Sequence, residues 1–215
     1  NRQSKGRALQ NMINIQKGDK VCAFIHVKNL NDMEYVQNHY LIFATKDGLM
    51  KKTTLESYSR PRANGIIALG LREGDRLIRV TLTDGNSQML VASYNGKVVR
   101  FPEDTVRPMG RTATGVRAIK LDEDGQDRVI GMICVEEGSK ESVLVISEKG
   151  FGKRTDLDDE NGEPIYRVTN RGGKGVKTMN LTDKTGNLIG LEAVTDDQDL
   201  MLITKSGTAI RMAMD

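Results

Sequence analysis

Apolar residues along this chain come in short runs rich in Val, Ile and Leu, separated by Gly, Asx and charged residues. Runs of that length and composition predict strands, and no stretch holds a 3.6-residue period long enough for an amphipathic helix. Asp47-Gly48 and Asn95-Gly96 each sit between two such runs. An Asx-Gly pair there predicts a hairpin whose two central residues both take positive φ. Lys149-Gly150 and Ser206-Gly207 are weaker forms of the same signal.

These four turns belong to one repeat: two apolar residues, Ala or Ile, Ser or Thr, two variable positions, Gly, three variable positions, then Lys or Arg. The copies run from Ile42 through Gly48 to Lys52, Leu90 through Gly96 to Arg100, Leu144 through Gly150 to Arg154, and Met201 through Gly207 to Arg211. Their glycines lie 48, 54 and 57 residues apart. A second repeat alternates with the first and places an apolar residue six positions after a Gly: Gly6 and Met12, Gly65 and Leu71, Gly115 and Leu121, Gly175 and Leu181. A further strand follows each, entered at Asp19-Lys20, Asp75-Arg76 and Asp127-Arg128, with Gly186-Asn187 in the fourth copy. The Asp is expected to shape the turn through side-chain hydrogen bonds.

A unit of about four strands in roughly 50–60 residues has the size of a propeller blade. The expected fold is all-β: a propeller-like array of four-stranded blades, with about four repeats visible in one domain over 1–215. The chain opens on Asn1 inside a unit, so it reads as a fragment of something larger. The polar segments 29–38, 136–141 and 156–164 read as exposed loops.

Composition removes several functional classes. The formal charge is only +3, so the distribution of charge, not its sum, must indicate any polyanion partner. No apolar run is long enough for a membrane helix and no signal peptide is present. No Ser-His-Asp set, phosphate-binding Gly loop or metal-spaced Cys/His cluster appears, so no catalytic, cofactor or metal residue is assigned. Cys22 and Cys134 lie in apolar runs and read as buried free thiols of a reducing compartment. His26 lies in a strand-like run and reads as a packed or surface histidine. The acidic clusters 122–124, 158–160 and 196–197 read as solvated loops.

Basic residues recur in register. The hairpin repeat carries Lys51, Lys52, Lys97, Arg100, Lys153, Arg154 and Arg211; the Gly repeat carries Arg60, Arg62, Arg107, Arg111, Arg117, Arg167, Arg171, Lys174 and Lys177, with Arg2, Lys5 and Arg7 in its first copy. One reading is a set of solvated edge strands whose cations prevent aggregation. The other is a basic rim. A cation repeated once per blade forms a belt, and a belt suits a long bent polyanion such as duplex DNA, held through its phosphates. Five Tyr, four Phe and no Trp argue against a stacking platform for single strands. On the rim reading, charge reversal at Arg100 or Arg154 weakens DNA binding without unfolding the chain.

The alternation of LIFATKDGLMKKT, MLVASYNGKVVRFPEDTVRPMGRTATGVRAI and VLVISEKGFGKRT resembles the C-terminal domain of the DNA gyrase A protein, over the whole chain. The resemblance implies a β-pinwheel, whose neighbouring blades exchange strands within a six-bladed ring. It implies bending and wrapping of duplex DNA on the outer rim, in support of ATP-driven negative supercoiling. The nucleophilic Tyr and the ATPase then belong to other domains. The implied partners are the rest of the gyrase A protein and the gyrase B protein, in the bacterial cytoplasm. The family's heptapeptide box, Gln-(Arg/Lys)-Arg-Gly-Gly-(Arg/Lys)-Gly, is matched at its last five positions by Thr169-Asn170-Arg171-Gly172-Gly173-Lys174-Gly175. The opening Gln and basic residue are absent, which keeps the corresponding C-terminal domain of topoisomerase IV as an alternative. A protein-interaction propeller is a third reading.

Overall fold

A computed structural model describes residues 5–6 and 20–214. Arg2, Arg7, Met12 and Asp19 lie outside the described residues. The chain forms β1 (Tyr40–Thr45), β2 (Leu49–Thr54), β3 (Leu77–Thr83), β4 (Ser87–Ser93), β5 (Lys97–Pro102), β6 (Val116–Arg117) and β7 (Val129–Glu136). It continues with β8 (Ser142–Ser147), β9 (Gly152–Asp156), β10 (Val176–Lys177), β11 (Leu188–Val194), β12 (Asp199–Ile203) and β13 (Ala209–Ala213).

Four antiparallel hairpins, β1–β2, β4–β5, β8–β9 and β12–β13, sit where the repeat places them. Their turns differ from expectation. The glycines Gly48, Gly96, Gly150 and Gly207 have φ of 85°, 85°, 82° and 86°, while no other residue type among the described residues has positive φ. Asp47 and Asn95 are therefore not the first residue of a two-residue turn with both φ positive. The loops of the first two hairpins, 46–48 and 94–96, are three residues long and end on a left-handed Gly, the longer of the common hairpin solutions. This also explains the Ser or Thr in three of the four copies: the hydroxyls of Thr45, Ser147 and Thr204 accept the amides of Leu49, Phe151 and Thr208 at 3.3, 3.3 and 3.1 Å.

The sheets interlock. Their strand orders are β3-β1-β2-β6, β10-β5-β4-β7, β11-β8-β9 and β12-β13. The chain leaves the first sheet after β3, builds the second hairpin, returns to the first sheet for β6, and then enters the second sheet again as β7. β10 makes the same return to β5. The return glycine is dictated by packing: a Cβ on Gly175 would stand 2.5 Å from the carbonyl oxygen of Val98, and Gly115 meets Met50 in the same way. The apolar residue six places on caps the turn, with Leu121 over Gly48 and Leu181 over Gly96.

The cores lie between successive sheets. Ile42, Ala44 and Met50 pack against Met89, Val91, Val99 and Phe101. Leu90, Ala92 and Val98 pack against Val143, Val145 and Leu157. Alternate residues of each hairpin thus face the unit before and the unit after, as a period of two requires. Truncating Phe101, fully buried, to Ala is expected to cost about 3–5 kcal/mol.

Two expectations are corrected here. Segment 29–38 is not simply a loop: it holds helix α1 (Met33–Asn38), capped by the Asp32 carboxylate on the Tyr35 amide, with Val36 buried. Val21 to Val27 forms no regular strand, and Cys22 is exposed, as is His26. β3, β7 and β11 each pair with the first strand of the hairpin before them. Residues 21–27 have no such hairpin among the described residues.

Candidate nucleic-acid interface

The cations of the hairpin repeat are not a free belt. Lys52 Nζ lies 2.8 Å from Glu103 Oε1, with the two side chains 5% and 0% exposed. The same carboxylate accepts the Thr83 hydroxyl at 2.7 Å and the Ser87 amide at 3.2 Å. The Lys52 ammonium also sits 4.2 Å from the centre of the Tyr40 ring. Arg100 donates to the Leu157 carbonyl at 3.2 Å and to Asp158 Oδ1 at 3.0 Å. Arg154 donates to the Met214 carbonyl and pairs with Asp196. Glu103, Leu157 and Met214 all stand seven residues after the turn glycine of the next hairpin. The repeated cation is thus a clasp from each unit to the next. Arg211 has no following hairpin among the described residues and pairs across its own hairpin with Asp199.

The placement of Lys51, Lys52 and Arg100 on an open rim is therefore overturned by their burial and pairing. A paired, desolvated cation cannot leave its carboxylate for a phosphate without a large penalty. Reversal at Arg100 is expected to destabilise the fold, contrary to the sequence expectation. Lys51 is enclosed and donates to the carbonyls of Ala68 and Arg111. Burial, with the Arg111 charge adding, lowers its pKa to about 8. Lys97 pairs with Asp122, and the Lys97 ammonium and Asn95 amide hold that carboxyl below the usual range. Lys153 is exposed and donates to the Thr178 carbonyl at 2.9 Å.

The acidic clusters change meaning accordingly. Asp122, Asp158 and Asp196, one from each, hold Lys97, Arg100 and Arg154. No group of acidic, His or Cys residues able to hold a metal occurs among the described residues. The Asp before each strand behaves as expected and also reaches across: Asp75 Oδ1 accepts the Arg76 and Asp47 amides at 2.8 and 3.0 Å. Asp127 Oδ1 accepts those of Arg128 and Asn95 at 3.1 and 3.0 Å. In the fourth copy Gly186 takes the Asp position, and the amide of Asn187, in the Arg position, is accepted by Glu148 in the turn at 3.1 Å. Burial pushes the Cys134 thiol up to about 12.

The cations of the Gly repeat form a different population. Arg60, Arg62, Arg107, Arg117, Arg167, Arg171, Lys174 and Lys177 are exposed and Arg111 half-buried. None has a carboxylate within ion-pair distance among the described residues. Their loops touch from unit to unit. Arg111 donates to the Ile67 carbonyl at 3.3 Å. Arg171 donates to the carbonyls of Thr105 and Arg117 at 3.1 and 3.4 Å. Arg107 and Arg167 precede the residues that bridge to Lys52 and Arg100 of the preceding hairpins. The loops thus make a contiguous basic surface. Beside it a cleft of about 650 Å³ is lined by Arg167, Asn170, Arg171, Gly172, Gly173 and Lys174. Arg171 to Gly175 is the segment that matches the heptapeptide box.

A family model for the DNA gyrase C-terminal domain, a β-propeller, matches residues 39–84, 88–136, 141–195 and 198–215. The chain belongs to the DNA gyrase C-terminal domain family. The first three family blocks each bracket one hairpin and the strand that follows it, and the fourth covers β12 and β13. The DNA gyrase A protein of Staphylococcus aureus (strain NCTC 8325 / PS 47) is 42% identical over 211 residues, 98% of this chain and 22% of that protein. Its counterparts in strains COL and MSSA476 match equally, so the chain spans about a fifth of the length of these gyrase relatives. The fold is similar to the crystal structure of the C-terminal domain of DNA topoisomerase IV (TM-score 0.82, 23% identity, 97% of this chain and 61% of that one). It is also similar to the DNA gyrase A C-terminal domain (TM-score 0.77, 22% identity, 99% and 66%). No helix among the described residues is long and apolar enough to cross a membrane.

Proposed function

We propose that this chain is a non-catalytic module that binds, bends and wraps duplex DNA. It would serve an ATP-dependent type II topoisomerase that introduces negative supercoils in the bacterial cytoplasm, alongside the rest of the gyrase A protein and the gyrase B protein. The family supports a DNA-binding gyrase domain. The observation that carries the reading further is the unpaired cation set on contiguous loops, from Arg60 and Arg62 through Arg107, Arg111 and Arg117 to Arg167, Arg171 and Lys174. Phosphate contacts of this kind give affinity without sequence readout. Bending tens of base pairs costs on the order of 1–6 kcal/mol, so contacts must recur along the DNA path.

The test is binding to linear duplexes of increasing length at several salt concentrations. Affinity should rise with length, show little sequence preference, and fall roughly a thousand- to hundred-thousand-fold between about 50 and 200 mM salt for six to ten phosphate contacts. Length-independent, salt-insensitive binding would reject the reading. The 42% identity to the gyrase A protein favours gyrase over topoisomerase IV as parent. Supercoiling by the parent, as against decatenation alone, decides between them.

A further inference from the structure

The loops that carry Arg107, Arg111, Arg167 and Arg171 are bonded to their predecessors in a repeated way. Arg111 and Arg171 each stand four residues before a glycine of the second repeat, Gly115 and Gly175. Each guanidinium reaches the preceding loop at the same place, the carbonyl two residues after that loop's own glycine. Arg111 donates to Ile67 at 3.3 Å and Arg171 to Arg117 at 3.4 Å. A backbone bond repeats beside each. The Gly70 amide donates to the Ala113 carbonyl at 3.1 Å, and the Lys120 amide to the Gly173 carbonyl at 2.8 Å. Gly70 and Lys120 both stand five residues after a repeat glycine, and Ala113 and Gly173 both two before one.

Both junctions are tight. A Cβ on Gly70 would stand 2.4 Å from the Thr112 carbonyl oxygen, and the Gly172 amide donates to the Ala118 carbonyl at 2.7 Å. Arg171 also spans two elements. Its Nε donates to the Thr105 carbonyl at 3.1 Å, so one guanidinium holds the exit of the second hairpin and the loop before its own. A guanidinium presents a fixed planar fork of donors that can do this, whereas an ammonium is a point charge on a flexible stem. The acceptors are neutral carbonyls, so these bonds fix the side chain without cancelling its charge. Lys52 and Arg100 differ, because their partners are carboxylates.

On the reading that this chain wraps duplex DNA, we infer that Arg111 and Arg171 are positioning residues for the bend, beyond the charge they carry. They lock successive cation loops in one register. Bending a duplex costs elastic energy, which phosphate contacts must offset. Loops free to move independently can follow a straight duplex and keep their contacts. Loops held in register reach further phosphates only where the duplex curves to meet them. Fastening loop to loop thus turns phosphate affinity into curvature.

The experiment uses two variants of the whole chain that preserve its charge. Arg171→Lys removes the fork, and Gly70→Ala pushes the first two loops apart. Each decides alone if the other does not fold. Amide hydrogen exchange on the DNA-free chain reads the fastening: the Lys120 amide in Arg171→Lys, and the amide at position 70 in Gly70→Ala, should exchange roughly tenfold faster. Binding to duplexes of increasing length reads the bend. Both variants should bind a short duplex as the parent does, with a salt slope changed by less than the about 0.9 of one lost phosphate contact. Both should lose the gain in affinity with length and the rise in energy transfer between dyes on the duplex ends. Unchanged exchange would overturn the fastening. Faster exchange with the length gain intact would overturn its link to bending, and so would a salt slope that falls by about 0.9 in Arg171→Lys. A parent chain with no length gain would instead reject the DNA reading, and exchange would still decide whether Arg171 and Gly70 hold the loops together.

Discussion

The hairpin cations and the loop cations recur with the same repeat, and their surroundings give them opposite roles. Lys52 and Arg100 are buried, each facing a carboxylate from the next unit. Arg107 and Arg167 stand a short distance away on the return segments, exposed and without carboxylate partners. Recurrence in register shows only that a residue has the same task in every unit. Burial and countercharge show whether that task is joining units or meeting a polyanion. The hairpin cations spend their charge on Glu103, Asp158 and Asp196. The loop cations keep theirs.

The largest effect should come from breaking the most buried clasp. Glu103→Ala leaves Lys52 as an uncompensated buried charge and removes the acceptor of Thr83 and Ser87. A loss of about 3–5 kcal/mol is expected, measured by denaturant unfolding. Lys52→Met with Glu103→Leu should recover most of it, because two apolar side chains leave no unpaired charge. If the double variant binds duplex DNA as well as the parent, the hairpin cation is a joint. A loss of affinity in that folded variant would restore it to the interface.

A second effect concerns Lys51. Its pKa in the folded chain is lowered to about 8 from 10.5. Between those values the unfolded chain binds more protons than the folded one, so stability should rise with pH from about 8 to 10.5. Below about 8 the penalty of the buried charge is fully present. The rise should be on the order of 2 kcal/mol. Lys51→Met should flatten that part of the pH–stability curve. A curve unchanged by the substitution would mean that Lys51 is solvated.

Much of this arrangement was legible in the sequence. The Gly spacing located all four hairpins, and the Asp before β3 and before β7 showed its turn-forming role. The clasp was not legible, because Lys52 and Glu103 lie 51 residues apart and meet only when successive hairpins stack. A signal was nonetheless present: Glu103 and Asp158 stand seven and eight residues after a turn glycine, an acid near a fixed offset, as the cation is. The clusters at Asp122, Asp158 and Asp196 looked like solvated loops because local sequence carries no information about a partner one unit away. Helix α1 was hidden for a different reason: it is six residues long, too short to show a period.

The smallest effect on stability should come from the loop cations, and there the comparison is sharpest. Arg107→Ala and Arg167→Ala remove exposed side chains without carboxylate partners, so stability should change by no more than about 0.5 kcal/mol. Their effect should appear in the salt dependence of DNA binding. Removing one phosphate-neutralising cation lowers the slope of log affinity against log salt by about 0.9. Arg107→Ala with Arg167→Ala should therefore lower it by about 1.8 if each side chain meets one phosphate. Arg171→Ala is a mixed case, since its guanidinium also bonds the Thr105 and Arg117 carbonyls at 3.1 and 3.4 Å. It should lower both the salt slope and, slightly, the melting temperature. A slope unchanged in all three variants would remove the loop surface as the DNA path. A slope that falls at Arg107 and Arg167 but not in the Lys52→Met, Glu103→Leu chain would separate the cations that join the units from those that hold DNA.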